Sequence, residues 1–267
     1  MLPVTVGITA FNCEGTLEEA VQSALIQSHK SIHILIVDDC STDRTNSIAK
    51  HLAKIHKNIT VLRTKKNGGV AVARNVIIKH ASTPFVIFFD DDDISVPHRI
   101  HTQLENILAC EKNDDKKLVI CHAARTVKYT KNKYKHEGCL AQHAGTEGVS
   151  GAVVSEAILC GTSNKDLRGA CPTCSQMART HTYRILGGFD ERLRRSDDTE
   201  FCIRAAENGA VFIGINEPLV QQRMTGGVDK SLNLETKTWK LICEKHRHVI
   251  ERKMSYGVAI DWLYLRH

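Results

Sequence analysis

The 267-residue chain is predicted to fold as an α/β protein: a mostly parallel central sheet flanked by helices, with a smaller lobe added after it. Three observations predict this. Over roughly the first hundred residues, short β-branched runs alternate four times with segments of helical spacing. Two of those runs, Ile32–Val37 and Phe85–Phe89, are almost continuously apolar, as strands buried on both faces are. After about residue 110 the rhythm changes to strands and a long polar stretch.

The elements follow in order. Val4–Thr9 reads as the first strand. Thr16-Leu17-Glu18-Glu19 has the spacing of a capping box, and Leu17, Val21, Ala24 and Leu25 then keep helical periodicity. Asp43 can cap a second helix that lines up Ile48, Leu52 and Ile55. Ile59–Leu62 is the third strand, and Gly68-Gly69 leads into a helix around Ala71–Lys79. After Phe85–Phe89, Pro97 opens a helix carrying Ile100, Leu104, Ile107 and Leu108. Further on, Val119–Ala123, Arg125–Tyr129, Val211–Ile215 and Leu219–Arg223 read as strands, with helices at Val153–Leu159 and Thr199–Asn208, the latter ended by Gly209. The stretch from Thr130 to Gly169 is polar and glycine-rich, and is expected to be a functional loop or small subdomain. The expected organisation is a half spanning 1–110, a second half of the same domain spanning 111–228, and a helical tail over 229–267.

Composition narrows the function classes. Hydrophobic residues make up 42% and charged residues 25%, which argues against wholesale disorder. A net charge of +6 favours anionic partners such as nucleotide diphosphates, lipid phosphates or a membrane surface, although any one lysine run is adequately explained as solvated surface. Aromatics are 5% and interleave with no basic patch, so nucleic acid is not an expected partner. Of ten cysteines, only Cys171-Pro172-Thr173-Cys174 has close spacing, and no second pair completes a zinc site. Reduced, mostly buried thiols in a cytoplasmic protein are expected. The N-terminal residues do not lead one to expect a signal peptide, and no apolar run approaches transmembrane length.

Ligands of open parallel sheets bind beyond the carboxyl ends of the strands. Functional residues should therefore follow Thr9, Val37 and Phe89, and acids do stand after the second and third of these. Asp90-Asp91-Asp92-Asp93 gathers four carboxylates that repel one another unless a cation compensates them; their oxygens suit Mg²⁺ or Mn²⁺. A solvated acidic turn is the plainer alternative. Val37-Asp38-Asp39 places two more acids after a buried strand, where one could read a base N–H or a ribose hydroxyl. Asn67-Gly68-Gly69 permits close backbone approach, and Arg74 one turn later could face phosphate or simply pair with an acid. Asp197-Asp198 precedes a helix, so capping explains one of the two, and the functional reading of the other is a general base.

The order of these motifs over residues 3–225 resembles the inverting family 2 glycosyltransferases, which have the Rossmann-like GT-A fold. The resemblance implies a nucleotide-sugar donor, UDP-linked first, and transfer to a hydroxyl of a glycan or lipid-linked acceptor. Thr9, Ala10 and Phe11 match the first-strand turn, Asp39 the base-reading acid, and Asn67 with Arg74 the segment passing the diphosphate. Asp90 and Asp91 match donor contacts, Asp92 with Asp90 the metal carboxylates, and Asp198 the catalytic base. Asp197 departs from the glutamate usual there. Gln221-Gln222-Arg223-Met224 lacks the tryptophan of processive members, which implies transfer of a single sugar; Arg223 and Thr225 would stand near diphosphate or acceptor. A sugar-phosphate nucleotidyltransferase would share the sheet and acids but want a Gly-rich basic N-terminal loop, which Gly7–Asn12 is not. A non-catalytic carbohydrate-binding protein is the alternative from another class. The tail mixes Trp239, Leu241, Ile242, Trp262 and Leu263 with Lys240, Lys245, Arg247, Arg252 and Lys253; it can lie peripherally on the inner face of a membrane, pack back on the domain, or form a homodimer contact.

Overall fold

The structure is a computed structural model describing residues 1–112, 118–130, 133–224 and 232–266. Its first half runs β1 (Val4–Ala10), α1 (Leu17–Leu25), β2 (Ile32–Asp38), α2 (Thr45–Ile55), β3 (Ile59–Arg63), α3 (Val70–His80), β4 (Phe85–Asp90), β5 (Ile94–Ser95) and α4 (Arg99–Glu111). The second half runs β6 (Val119–Thr130), β7 (Lys133–Glu137), β8 (Val149–Ser150), α5 (Ala152–Cys160), β9 (Gln176–Arg179), α6 (Thr180–Ile185), α7 (Asp197–Glu207) and β10 (Val211–Arg223). The tail holds α8 (Leu232–Lys245), α9 (Arg247–Ile250) and α10 (Tyr256–Arg266).

One sheet spans both halves in the order β3-β2-β1-β4-β9-β6-β10-β5. The β1–β2, β2–β3, β1–β4 and β6–β10 pairs are parallel, and β9 lies antiparallel between β4 and β6. Thr9 is level with Val37 on one side and with Asp90 on the other, so three strands end at one rim. Alternation along those strands separates two cores. Val4, Val6 and Ile8, with Ile34, Ile36, Phe85 and Ile87, meet α1, α2 and α4. Leu35, Val37, Val86 and Phe88 meet α3, α6 and α7. Gly7 lets α3 approach β1: a Cβ there would stand 2.5 Å from Ile77 Cγ2.

Four local expectations need correction. The segments read as two strands around Ala124 form the single strand β6. Those flanking Pro218 form the single strand β10, whose pairing slips on either side of that proline, a residue with no N–H to give the ladder. Thr16 makes no capping bond to α1; its hydroxyl donates to the Cys13 carbonyl at 3.4 Å. The 130–169 stretch is not a separate subdomain: β7 pairs with β6, β8 with β10, and Leu140, Ala141 and Val154 are fully buried in the second core. Asp43 does serve α2, accepting the Thr45 N–H at 2.9 Å. No cysteine forms a disulfide, and eight of the ten are buried.

The described tail packs back on the domain. Ile242 is buried with Leu193 and Ile203, and Val249 and Ile250 are buried as well. The side chains of Trp262 and Leu263, and Thr225 and Lys116-Lys117 entirely, lie outside the described residues. Among those described, no helix is long and apolar enough to cross a membrane.

Candidate active site

The rim is built by loops that tie to one another. Asn12, in the left-handed region at φ 49°, accepts the Thr42 N–H at 2.8 Å and donates its own N–H to Ser41 Oγ at 3.0 Å. The Cys13 N–H donates to Thr45 Oγ1 at 2.8 Å. These bonds join the turn after β1 to the turn after β2. Ala10 is buried, Thr9 is partly open, and the Phe11 ring projects outward at 44% exposure.

Asp38 and Asp39 are both buried and do different work. Asp38 accepts from the Ser41 N–H at 3.0 Å and Asn46 Nδ2 at 2.9 Å, and pairs with Arg63 at 3.2 Å. It holds its own loop. Asp39 reaches across to the turn before α3, accepting the Gly68 and Gly69 N–H groups at 3.0 and 2.7 Å and Thr64 Oγ1 at 2.8 Å. Gly69 sits at φ 93°, a conformation costly for any other residue. The base-reading acid of the resemblance is thus also the clasp that shapes the glycine turn. Asn67 accepts from Arg194 Nη1 at 2.6 Å, which lays the Arg194 side chain over Gly69.

The four acids at the end of β4, Asp90 to Asp93, stand in four environments. Asp90 is held by Arg74 at 3.8 Å; burial raises its pKa, and Asp92, Asp198 and Asp197 raise it further against the pull of Arg74. Asp91 accepts the Phe11 N–H at 3.1 Å, yet burial, with repulsion from Asp92 and Asp90, lifts it to about 7. Asp92 is partly exposed between them. Asp93 is buried: one oxygen accepts the Arg223 N–H at 3.0 Å, the other has no hydrogen-bond partner, and burial with its acidic neighbours lifts it to about 8.

Arg74 joins this rim to the second half. Its Nη1 donates to Asp197 Oδ2 at 2.7 Å, and both groups are buried. Burial opposes the charge of Arg74, but Asp197, Asp90 and Asp198 outweigh it and raise its pKa. The Phe189 ring lies beneath, 5.5 Å from the guanidinium carbon. Asp198, the next residue of α7, is partly exposed and accepts the Thr199 N–H at 2.7 Å. Asp197 is therefore the buried, ion-paired acid of the two, and Asp198 the one that stays partly exposed. That Asp92 and Asp198 both push on Asp90 places the three in one electrostatic neighbourhood.

Sequence reasoning missed Arg99 and misplaced the side chain of Arg223. Arg99 is fully buried and is held by neutral oxygens: Gln103 Oε1 at 2.9 Å, Ser95 Oγ at 2.8 Å and the Phe88 carbonyl at 3.0 Å. Burial lowers its pKa to about 10, and its charge offsets Asp90 and Asp93. Nothing in an amphipathic helix pattern marks an arginine as inward-facing. The Arg223 side chain pairs with Glu19 at 2.6 Å, so only its backbone serves the acid cluster.

The residues fit a hard divalent cation. Four carboxylates at one strand end repel one another, and a buried oxygen of Asp93 lacks a partner. Ligand atoms of Asp90, Asp93 and Cys174 lie within 4.8 Å of one another, so Asp90 belongs both to this group and to the Asp92–Asp90 pair expected from sequence.

A family model described as glycosyl transferase family 2 matches residues 5–152, which takes in β1 through the whole acid rim. The chain belongs to glycosyl transferase family 2. Among the relatives of this family 2 chain, an uncharacterized glycosyltransferase of Rickettsia felis is 30% identical over 85% of the chain and 34% of its own length. The Escherichia coli protein WfaP, a UDP-Glc:alpha-D-GlcNAc-diphosphoundecaprenol beta-1,3-glucosyltransferase, is 38% identical over 38% of the chain and 39% of its own length. The chain thus matches well under half of these two relatives. Staphylococcus aureus TarS in complex with UDP-GlcNAc superposes with a TM-score of 0.67 at 19% identity, covering 91% of this chain and 66% of that one. That likeness establishes the GT-A fold.

Proposed function

We propose that this family 2 chain transfers one hexose from a UDP-sugar to a hydroxyl of a glycan or lipid-linked acceptor, with inversion, and that Asp198 is the general base. The observation that carries the reading is the Arg74 bridge, which holds the start of α7 against the acid rim of β4. UDP-sugars are favoured because WfaP is named for UDP-Glc and TarS was crystallised with UDP-GlcNAc.

In this reading residues 1–110 hold the donor, and residues 111–228 present acceptor and base. Thr9, Ala10 and Phe11 form the shelf beside the base, and Asp39 accepts from its N–H while keeping the glycine turn in place. Asn67 and Arg74 line the passage of the diphosphate. Asp90, Asp91 and Asp92 face the donor, with Mn²⁺ or Mg²⁺ held by Asp92 and Asp90. A divalent ion bound there supplies Lewis-acid stabilisation of the charge that grows on the diphosphate. Asp198 takes the proton of the acceptor hydroxyl as that oxygen bonds to the anomeric carbon. The C–O bond to the diphosphate breaks on the opposite face, and UDP leaves. A neutral hydroxyl is a weak nucleophile at pH 7, which is why a base is needed. Gln221-Gln222-Arg223-Met224 supports single transfer over polymerisation. A cytoplasmic setting, at the inner membrane face when the acceptor is lipid-linked, is consistent with this chemistry.

The test is UDP release from UDP-Glc and UDP-GlcNAc with Mn²⁺ present. Asp198→Asn should slow it by at least about 100-fold, while calorimetric UDP binding stays within about twofold of wild type. Full turnover in that variant would remove Asp198 from the chemistry. Undiminished turnover in EDTA would remove the metal.

A further inference from the structure

Helix α7 carries Asp198 in its first turn, yet its N-cap residue contributes no side-chain capping bond. That residue, Ser196, lies in the left-handed region at φ 54°. Something else must fix the start of the helix. Arg74 does so on the side of the acid rim, through Asp197. The other side is governed by Glu200, one turn on and fully buried.

Glu200 gathers two cations and an imidazole. Arg204 Nη2 lies 3.0 Å from it, His246 Nε2 3.2 Å and Lys245 Nζ 2.7 Å. Burial alone would raise the Glu200 pKa; hydrogen bonds from His246, Arg204 and Lys245 reverse this and hold it at about 2. The Lys245 ammonium also sits 2.7 Å from Asp190 Oδ2, in the turn that precedes α7. Arg204 donates to the Leu186 and Gly188 carbonyls of the same turn, and Asn75 of α3 accepts the Phe189 N–H at 2.8 Å. Two of the three groups on Glu200, Lys245 and His246, therefore come from the C-terminal end of α8 and the residue after it. Beside them Ile242 is fully buried against Leu193 and Ile203. Further along, Arg252 pairs with Glu207 at 2.7 Å, so the tail grips α7 at both ends.

We propose that Lys245 and His246 are positioning residues of the transfer site. Acting through the buried Glu200 carboxylate and Asp190, they set the attitude of the first turn of α7, and with it the direction in which Asp198 meets the acceptor oxygen. The tail is then a working part of the catalytic half. Displacements near 1 Å in such a constellation cost up to about 100-fold in rate, while the donor, bound at the other rim, is unaffected.

This rests on Asp198 being the base, and the experiment separates the two. Lys245→Gln and His246→Gln, made in the full chain, should lower kcat for UDP-Glc or UDP-GlcNAc hydrolysis by about 10- to 100-fold. The UDP dissociation constant should not move. Lys245→Arg, which keeps a cation between Asp190 and Glu200, should restore most of the loss. Hydrogen exchange at the amides of residues 198–202 should quicken in Lys245→Gln and return to normal in Lys245→Arg, a readout that needs no turnover. An unchanged kcat in both Gln variants overturns the proposal. So does a kcat loss matched by equally weakened UDP binding, or one that Arg does not rescue. If Asp198→Asn turns over like wild type while exchange in Lys245→Gln quickens, the base reading has failed, and the catalytic role of the clamp falls with it.

Discussion

Arg74 and Asp197 form a buried pair at 2.7 Å, and neither can keep its charge in that place without the other. Arg74→Met should therefore cost about 3–5 kcal/mol in urea unfolding, because it strands Asp197 among Asp90 and Asp198. The double variant Arg74→Met/Asp197→Asn removes both charges and should recover part of that loss; strictly additive losses would refute the coupling. The same residues mark how far sequence reading reaches. Arg74 was legible as a candidate because it follows a glycine turn by one helical turn, but the choice between phosphate and acid was open. In the structure it bonds the buried Asp197, which splits Asp197 from Asp198 and leaves its role toward the diphosphate to the proposal above. Asp93 was visible in the run of four; that one of its oxygens is buried without a partner depends on β10 and the turn at Cys174 coming together around it, which no local pattern encodes.

At the scale of elements, the turn into α7 is the critical one. Gly188 lies at φ 67°, and a Cβ there would stand 2.4 Å from Asn75 Oδ1. Gly209, past the end of α7, has a similar φ of 76° but open space around it. Gly188→Ala should cost about 3 kcal/mol and slow turnover, since it pushes the turn away from α3. Gly209→Ala should cost only the conformational strain, about 1 kcal/mol, with turnover intact. Equal costs in chemical unfolding would contradict this placement of the turn. The parallel elements of the first half were readable because each strand is an apolar run closed by a helix signal. The second half was less so: β6 and β10 read as broken because polar and proline residues interrupt long strands that only pairing with each other completes.

Across the whole molecule, acids held at one rim make stability depend on pH in a particular direction. Asp91 and Asp93 titrate at about 7 and 8, against an ordinary 3.8, so the folded chain holds these protons more tightly than the unfolded one. Their contribution is complete below the ordinary value and is lost as pH rises through 7 to 8. The metal-free thermal midpoint should fall from about pH 4 to about pH 8 and level off above that. The upward shift given by Mn²⁺ should be larger at the higher pH, where the ion meets carboxylates instead of acids. A Mn²⁺ shift that shrinks with pH would contradict the arrangement. The central claim is that donor rim and base share one cleft, drawn together by Arg74. It is tested most directly by diffraction from crystals soaked with UDP and Mn²⁺ at the manganese absorption edge. The account predicts an anomalous peak against the carboxylates following β4, uracil beside Asp39, and Asp198 looking onto the diphosphate from across the gap. Uracil and manganese bound apart from each other, or Asp198 turned away from both, would contradict it.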